Sequence, residues 1–325
     1  MQNTASGKVI LAGEHAVVYG VPALAVGIDR GARATARPLL PRERARLAVP
    51  TWGIEVSEDG DEMLSRAFRS LLNEHRQSAS SRKESAFSVE AFADLPPGGG
   101  LGCSAAVGVA IARAVDPTAD IEGIQRLAMA WERVFHGNPS GIDAACSARG
   151  GAIWFRKGEQ PRPVRVAREL HLCIGHSGIA SSTKSMVESV AKQREKRPEV
   201  VEKAFSGIAA VVENARLALE AGDVVALGKL LDMNQMLLGG LLLSTEEVET
   251  LCRVARGAGA LGAKLTGAGG GGCVVALVSD EARGNAVVQA WDKAGYFGFH
   301  TRVAATVHST FVRERAAYDT AEAER

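Results

Sequence analysis

A chain of 325 residues with a formal net charge of +1 has room for one large or two ordinary domains with an ample core. Its well-mixed charges argue against a nucleic-acid partner. Five cysteines, Cys103, Cys146, Cys173, Cys252 and Cys273, form no C-x-x-C pair and no regular spacing, the pattern of reduced thiols in a cytoplasmic protein. The longest apolar run, around Met236 to Leu243, is too short for a bilayer, and no apolar leader with a cleavage site opens the chain, so no membrane association is expected.

Ser6 to Gly27 places two short apolar strands, Val9–Leu11 and Ala23–Ile28, around a compact turn. Gly13 and Gly20 bracket that turn, which holds Glu14 and His15. Lys8 stands at the mouth of the first strand. A lysine there is ordinarily a solvated edge residue; beside a second polar cluster it could instead stabilise developing negative charge. Arg37 to Arg46 is basic and proline-punctuated and reads as an exposed connection. Met63 to Asn73 has helical spacing, Gln77 to Ser85 reads as a polar loop, and Ser88 to Phe92 alternates as a strand.

The next stretch is the centre of the sequence. Pro96 and Pro97 stop the preceding strand, and Gly98, Gly99, Gly100 and Gly102 follow within five residues. From Ser104 the composition turns to Ala, Val and Ile with a lone Gly108, which reads as a tightly packed buried helix. A glycine loop feeding a helix start leaves unpaired N–H groups at the positive end of the helix dipole, an anion site and most often a phosphate site. The alternative, a flexible linker, fits poorly between a Pro-Pro stop and an apolar helix. No G-x-x-x-x-G-K-[ST] occurs. Gly102-Cys-Ser-Ala-Ala106 half-matches a hydrolase elbow but has Ala106 where the second glycine belongs.

Asp120 is a plausible N-cap for an amphipathic helix to Phe135, with Glu132 at the edge of its apolar face. The helix ends in His136-Gly-Asn-Pro-Ser-Gly-Ile-Asp143, where Gly137, Pro139 and Gly141 force a tight loop that presents Asp143 near Glu132. Two carboxylates so held suit a hard cation and the acceptance of a hydroxyl proton. Gly150 to Phe155 and His171 to Gly175 are strands, the latter opening a second domain. Ser177 to Thr183 is a polar turn in which Thr183 either caps a helix from Ser185 or faces a cleft. Lys192 to Pro198 is charged and exposed. Helices are expected over Val200–Ala221, Val224–Leu243 and Thr245–Gly257, the last capped by Ser244 with Glu247 completing a capping box. Gly267 to Gly272 formally satisfies G-x-G-x-x-G, yet a helix precedes it and the strand Cys273–Val278 follows, the reverse of a dinucleotide fingerprint. A helix over Glu281–Ala294, a strand over Gly298–Ala304 and a polar tail after Arg313 close the chain.

Three stretches, Lys8-Val-Ile-Leu-Ala-Gly-Glu-His15, Pro97-Gly-Gly-Gly-Leu-Gly-Cys-Ser-Ala-Ala106 and Lys264-Leu-Thr-Gly-Ala-Gly-Gly-Gly-Gly-Cys273, resemble in order and separation the three motifs of the GHMP kinases, and the likeness runs through most of the chain. His136 to Asp143 and the residues around Glu14-His15 resemble the branch of that superfamily that phosphorylates mevalonate. A galactokinase would carry Glu-His-Thr-Asp-Tyr where this chain has Glu14-His15-Ala16-Val17-Val18.

The resemblance implies an α+β fold of two lobes with the active site in the cleft between them: a ribosomal-protein-S5-like ATP-binding domain over 1–168 and a ferredoxin-like domain over 169–325. It implies phosphorylation of the 5-hydroxyl of mevalonate with ATP and Mg²⁺, in the supply of isoprenoid precursors. Asp143 would be the catalytic base or the carboxylate that orients the hydroxyl, with Lys8 beside it. Ser104 and Glu132 would hold Mg²⁺. Pro97, Gly98, Gly99, Gly100, Leu101, Gly102, Cys103 and Ser104 would wrap the ATP phosphates, and His15, Glu14, Thr183, Gly269 and Ser140 would contact mevalonate. Two departures from the common loop stand out: Gly99 replaces an alanine and Cys103 a serine. At a helix N-terminus Cys103 is expected to have a lowered thiol pKa and to react readily. Phosphomevalonate and homoserine kinases remain as alternatives, as does a catalytically silent sugar- or isoprenoid-sensing relative, against which Lys8, Ser104, Glu132 and Asp143 all argue. A homodimer is left open as the assembly.

Overall fold

Period-two alternation builds the first sheet. In β5 (Phe87–Ala93) Phe87, Val89 and Ala91 are buried while Ser88 and Glu90 turn outward, the pattern of a strand with one covered face. The structure is a computed structural model that describes residues 3–40, 42–78, 86–96, 98–137 and 139–307. It is an α+β protein whose chain divides into two compact units. The first comprises Met1–Lys8, Arg30–Pro97 and Gly102–Gly150; the second comprises Val9–Asp29, Gly98–Leu101 and Gly151–Arg325. Compactness therefore groups residues differently from a single cut at 168/169, because β1 (Asn3–Ala12) and β2 (Ala23–Pro38) each pass from one unit to the other.

In the first unit the second half of β2 pairs antiparallel with β5, from Ala32 opposite Ala93 to Pro38 opposite Phe87. β5 runs parallel to β3 (Arg46–Val49), which pairs antiparallel with β4 (Ile54–Ser57). Four helices accompany this sheet: α1 (Met63–Ser78), α2 (Cys103–Val115), α3 (Ile121–His136) and α4 (Ile142–Arg149). α2 lies innermost, against β5, α3 and α4. Its sequence permits this, since Ala105, Ala106, Ala110 and Ala112 leave room for close neighbours while Val107, Val109 and Ile111 are fully buried, each worth roughly 1.5–3 kcal/mol of burial. Asp120 caps α3 as expected, accepting from the Gly123 N–H at 2.7 Å.

The second unit holds the first half of β2 with β6 (Ala152–Phe155) and β7 (Arg162–Val164). It also holds a separate antiparallel sheet in the order β11 (Gly298–Val303), β8 (Leu170–His176), β10 (Cys273–Val278), β9 (Gly262–Thr266). β9 and β10 are buried throughout, and α8 (Glu246–Gly257) and α9 (Glu281–Lys293) pack on this sheet. α5 (Thr183–Lys196), α6 (Pro198–Ala221) and α7 (Val224–Gly240) complete the unit.

Several local expectations are corrected. Ser182, not Thr183, caps α5, accepting from the Ser185 N–H; Thr183 is the first helical residue. Thr245, not Ser244, caps α8, which moves the third helical position to Val248 and removes the capping box with Glu247. The charged stretch from Lys192 is largely exposed, as expected, and it belongs to α5 and to the start of α6, where Pro198 takes the first helical position, for which its fixed φ suits it. The strand after Ala23 runs on to Pro38, so the basic segment is partly sheet. The tail after Arg313 lies outside the described residues, as does most of the polar loop before Phe87.

Candidate active site

Lys8 is an interior residue of β1 rather than an edge residue, only 3% exposed. Its stem runs over Gly102, where an added Cβ would lie 2.9 Å from Lys8 Cγ, and Gly102 takes φ 69° as it caps α2. Close approach and left-handed backbone both demand glycine at this position. The ammonium reaches Asp143, with Nζ 2.9 Å from Oδ1, a close charge contact that lacks hydrogen-bond alignment. Asp143 is not in a loop. It sits in the first turn of α4, behind Gly141 at φ 91°, where a carboxylate is favoured by the helix dipole.

Ser104, in the first turn of α2, donates its hydroxyl proton to Glu132 Oε1 at 2.6 Å. Glu132 is buried at the end of α3, and desolvation pushes its pKa up to about 7. The Ser104 hydrogen bond opposes this rise, the Asp143 charge adds to it and Lys8 opposes it. One turn on, His136 Nε2 lies 3.6 Å from Glu132 Oε2; burial lowers the His136 pKa. The half-buried Ser140 accepts weakly from the Ile142 N–H at 3.4 Å. Thus Lys8, Ser104, Glu132 and Asp143, far apart in the sequence, meet within the first unit around the start of α2. Asp143 is the most accessible of the charged pair, with its side chain 35% exposed.

The donor set fits a hard divalent cation in a particular way. No group of three His, Cys, Asp or Glu that could hold a metal exists among the described residues. Mg²⁺ rarely needs such a cage, since it takes one or two protein oxygens and completes its shell with phosphates and water. A buried carboxylate whose charge is poorly solvated, bonded to a serine hydroxyl, could supply such protein oxygens.

Cys103 corrects the sequence reading. It is buried, its thiol donates to the Leu95 carbonyl at 3.6 Å, and burial, with Glu132 nearby, pushes its pKa up to about 12. Desolvation overrides the helix dipole, and the thiol is not activated. All five cysteines are buried and free. Pro97 lies outside the described residues.

The second unit holds the remaining motif residues. Gly98 and Gly100 adopt φ 73° and 75°, and a Cβ on Gly100 would lie 2.9 Å from the Thr266 carbonyl oxygen, so this loop backs directly onto the other glycine run. Gly99 and Leu101 complete this part of the loop with them. Gly269, at φ 70°, would meet the Leu243 carbonyl oxygen with any Cβ, and its own carbonyl accepts from Ser181 Oγ. Thr183 is exposed.

Glu14 is expected to touch substrate, yet its carboxylate is engaged inside the protein. Lys264 Nζ donates to Oε1 and Asn234 Nδ2 donates to Oε2 at 2.9 Å, and neither member of the ion pair has side-chain exposure. Lys264 also donates to the Ile10 carbonyl at 3.2 Å and to that of Leu265. The next residue, His15, takes the uncommon φ of 60°. Its Nε2 contacts the Ala268 carbonyl at 2.6 Å; a carbonyl only accepts, so that nitrogen carries the proton. Nδ1 is then a buried lone pair without a partner, and burial lowers the pKa, keeping the ring neutral. The sequence reading did not single out Asn234 or assign Lys264 a role. A lysine inside an apolar strand directly before a glycine run was the available signal.

Comparison with known proteins identifies related chains and domains. The GHMP kinases N terminal domain matches residues 62–151 and the GHMP kinases C terminal domain matches residues 215–296. The mevalonate kinase of Thermococcus gammatolerans is 37% identical over 302 residues, covering 86% of this chain and 89% of the relative. That of Mus musculus is 30% identical over 378 residues, covering 94% of each. The crystal structure of L. major mevalonate kinase in complex with R-mevalonate matches with a TM-score of 0.81 at 28% identity, covering 94% of this chain and 97% of that one. The chain belongs to the GHMP kinases and, among them, to the mevalonate kinase family. Among the described residues no helix is long and apolar enough to cross a membrane.

Proposed function

We propose that this protein transfers the γ-phosphoryl group of ATP to the 5-hydroxyl of mevalonate, with Asp143 and Lys8 at the reacting atoms. The observation that carries the assignment of roles is the Lys8–Asp143 contact, at 2.9 Å, in the same small cluster as the Ser104–Glu132 hydrogen bond. A bond forms between the hydroxyl oxygen and the γ-phosphorus, the bond to the ADP oxygen breaks, and the hydroxyl proton passes to Asp143. Asp143 fits that role because it is the accessible acid of the cluster. Lys8 places positive charge where the attacking oxygen and the transferred group gather negative charge.

Phosphoryl transfer asks little covalent chemistry of a protein, so alignment and charge placement supply most of the rate. Ser104 and Glu132 would hold Mg²⁺, which when bound neutralises the charge on the phosphates. The glycine-rich loop from Gly98 to Ser104 would take the phosphates on backbone N–H groups. His15 would contact mevalonate as a neutral acceptor through Nδ1, with Thr183, Gly269 and Ser140 as further contacts and Glu14 acting through the placement of His15.

A coupled ADP-release assay over mevalonate, phosphomevalonate, homoserine and galactose tests the substrate. Turnover with mevalonate alone is the expected result; preference for phosphomevalonate or homoserine would reassign the protein to a sister activity.

A further inference from the structure

The hydroxyl of Ser104 has a second partner besides Glu132. Trp131 Nε1 lies 3.2 Å from Ser104 Oγ and 3.1 Å from the Ser104 carbonyl oxygen, a shared hydrogen bond from an indole that can only donate. Trp131 is fully buried. Neighbouring residues on a helix diverge by about 100°, so Trp131 and Glu132 can both reach one serine only if α2 passes very close to α3. Gly108, one turn beyond Ser104 on the same face of α2, provides that closeness: an added Cβ there would sit 2.7 Å from Trp131 Cδ1. Gly108, Trp131 and Glu132 thus form one arrangement around Ser104, and the core need for a large ring explains only the packing, not where its N–H points.

We propose that Trp131 is a positioning residue for Ser104, its indole N–H occupying one lone pair of the hydroxyl while Glu132 takes the proton, so that a single lone pair is left for the cation that accompanies the nucleotide. A serine hydroxyl has one proton and two lone pairs. With two of these three directions committed, its rotamer is fixed before any ligand arrives, and little ordering remains to be done on binding. The inference rests on the reading of Ser104 as a ligand of that cation.

The test uses Mn²⁺ as a spectroscopic probe in place of Mg²⁺. Its binding to the full-length protein with a non-hydrolysable ATP analogue and no mevalonate is followed by electron paramagnetic resonance. Trp131→Phe keeps an aromatic ring and removes the donor; Mn²⁺ affinity should fall about tenfold, the worth of one buried hydrogen bond, with circular dichroism and melting behaviour close to those of the parent. Ser104→Ala should also weaken Mn²⁺ binding, and Trp131→Phe added to it should cost less than about twofold more, because two residues acting through one contact are not additive. Equal losses on both backgrounds, or no loss in the single variant, overturn the role of Trp131. Unchanged Mn²⁺ binding in Ser104→Ala removes the ligand reading itself and the inference with it. If Trp131→Phe does not fold, benzothienylalanine at position 131, with sulfur in place of the indole N–H, keeps the shape and should give the same loss.

Discussion

In the first unit Lys8 meets Asp143; in the second Lys264 meets Glu14. Each pair joins residues of recurring motifs and is chemically the same, an ammonium against a carboxylate. The difference is access. Lys8 is buried, but the Asp143 side chain is 35% exposed and its near oxygen has no aligned hydrogen bond. The Lys264–Glu14 pair has no exposure, and Glu14 is held on its other oxygen by Asn234. A pair with an open acid can exchange its partner for a substrate, and so can do chemistry. A sealed pair can only hold its surroundings, here the stretch that sets His15 in its uncommon backbone conformation. Desolvation makes the sealed pair costly unless both members remain.

Breaking the open pair should separate activity from stability. Asp143→Asn, which keeps a polar oxygen beside the buried Lys8 ammonium, is expected to lower turnover by a factor on the order of 10³ or more while nucleotide affinity and melting temperature change little. Retained turnover in a steady-state assay would take Asp143 out of the mechanism. The sealed pair should show the opposite split. Lys264→Met leaves Glu14 buried without its countercharge and should destabilise the fold by about 3–5 kcal/mol in a urea titration. The double change Lys264→Met with Glu14→Leu should recover much of that loss, and failure to recover would mean that the network is needed as such.

A smaller effect belongs to His15. Its folded pKa is lowered by burial, so below the ordinary value near 6.5 the unfolded chain binds the proton more readily. The stability His15 contributes is therefore complete above that value and lost as pH falls through the folded one. His15→Gln should show a shallower acid decline of stability than the parent between pH 7 and 5. The smallest effect concerns Cys103. With its pKa pushed up to about 12 it should alkylate far more slowly than an exposed thiol at pH 8, and activity should survive brief treatment. Rapid modification protected by nucleotide would restore the activated-thiol reading.

The parts of this design legible in the sequence are those with local causes. The glycine run that cannot be a linker, the Asp120 cap and the strand after Gly272 all follow from neighbours within a few residues. The tight loop after α3 brings Asp143 near Glu132 on local grounds, but the convergence of Lys8 with them came through family resemblance. β3 and β4 offer little signal because each spans only four residues, too short for a periodic pattern to stand out. α4 is hidden in the sequence because glycine and proline before Ile142 mark a loop and mask the alanine-rich turn behind them. Thr183 and Ser244 were each one residue from the true cap, the usual uncertainty at helix ends. The partners of Glu14 lie 220 and 250 positions away, and no local signal could pair them. For Cys103 the sequence offered the right effect with the wrong magnitude, because the dipole is visible in a helix start while burial is not.

The connection between α3 and α4 has a mechanical consequence. Only five residues, Gly137 to Gly141, separate the end of one helix from the start of the next, and Glu132 and Asp143 lie near either side of that connection. Such a short tether gears the two acids together: a tilt of one rod is delivered to both carboxyl groups at once. Lengthening the tether by even one residue would change the spacing of the Glu132 and Asp143 carboxyl groups, so this is where insertions should be least tolerated.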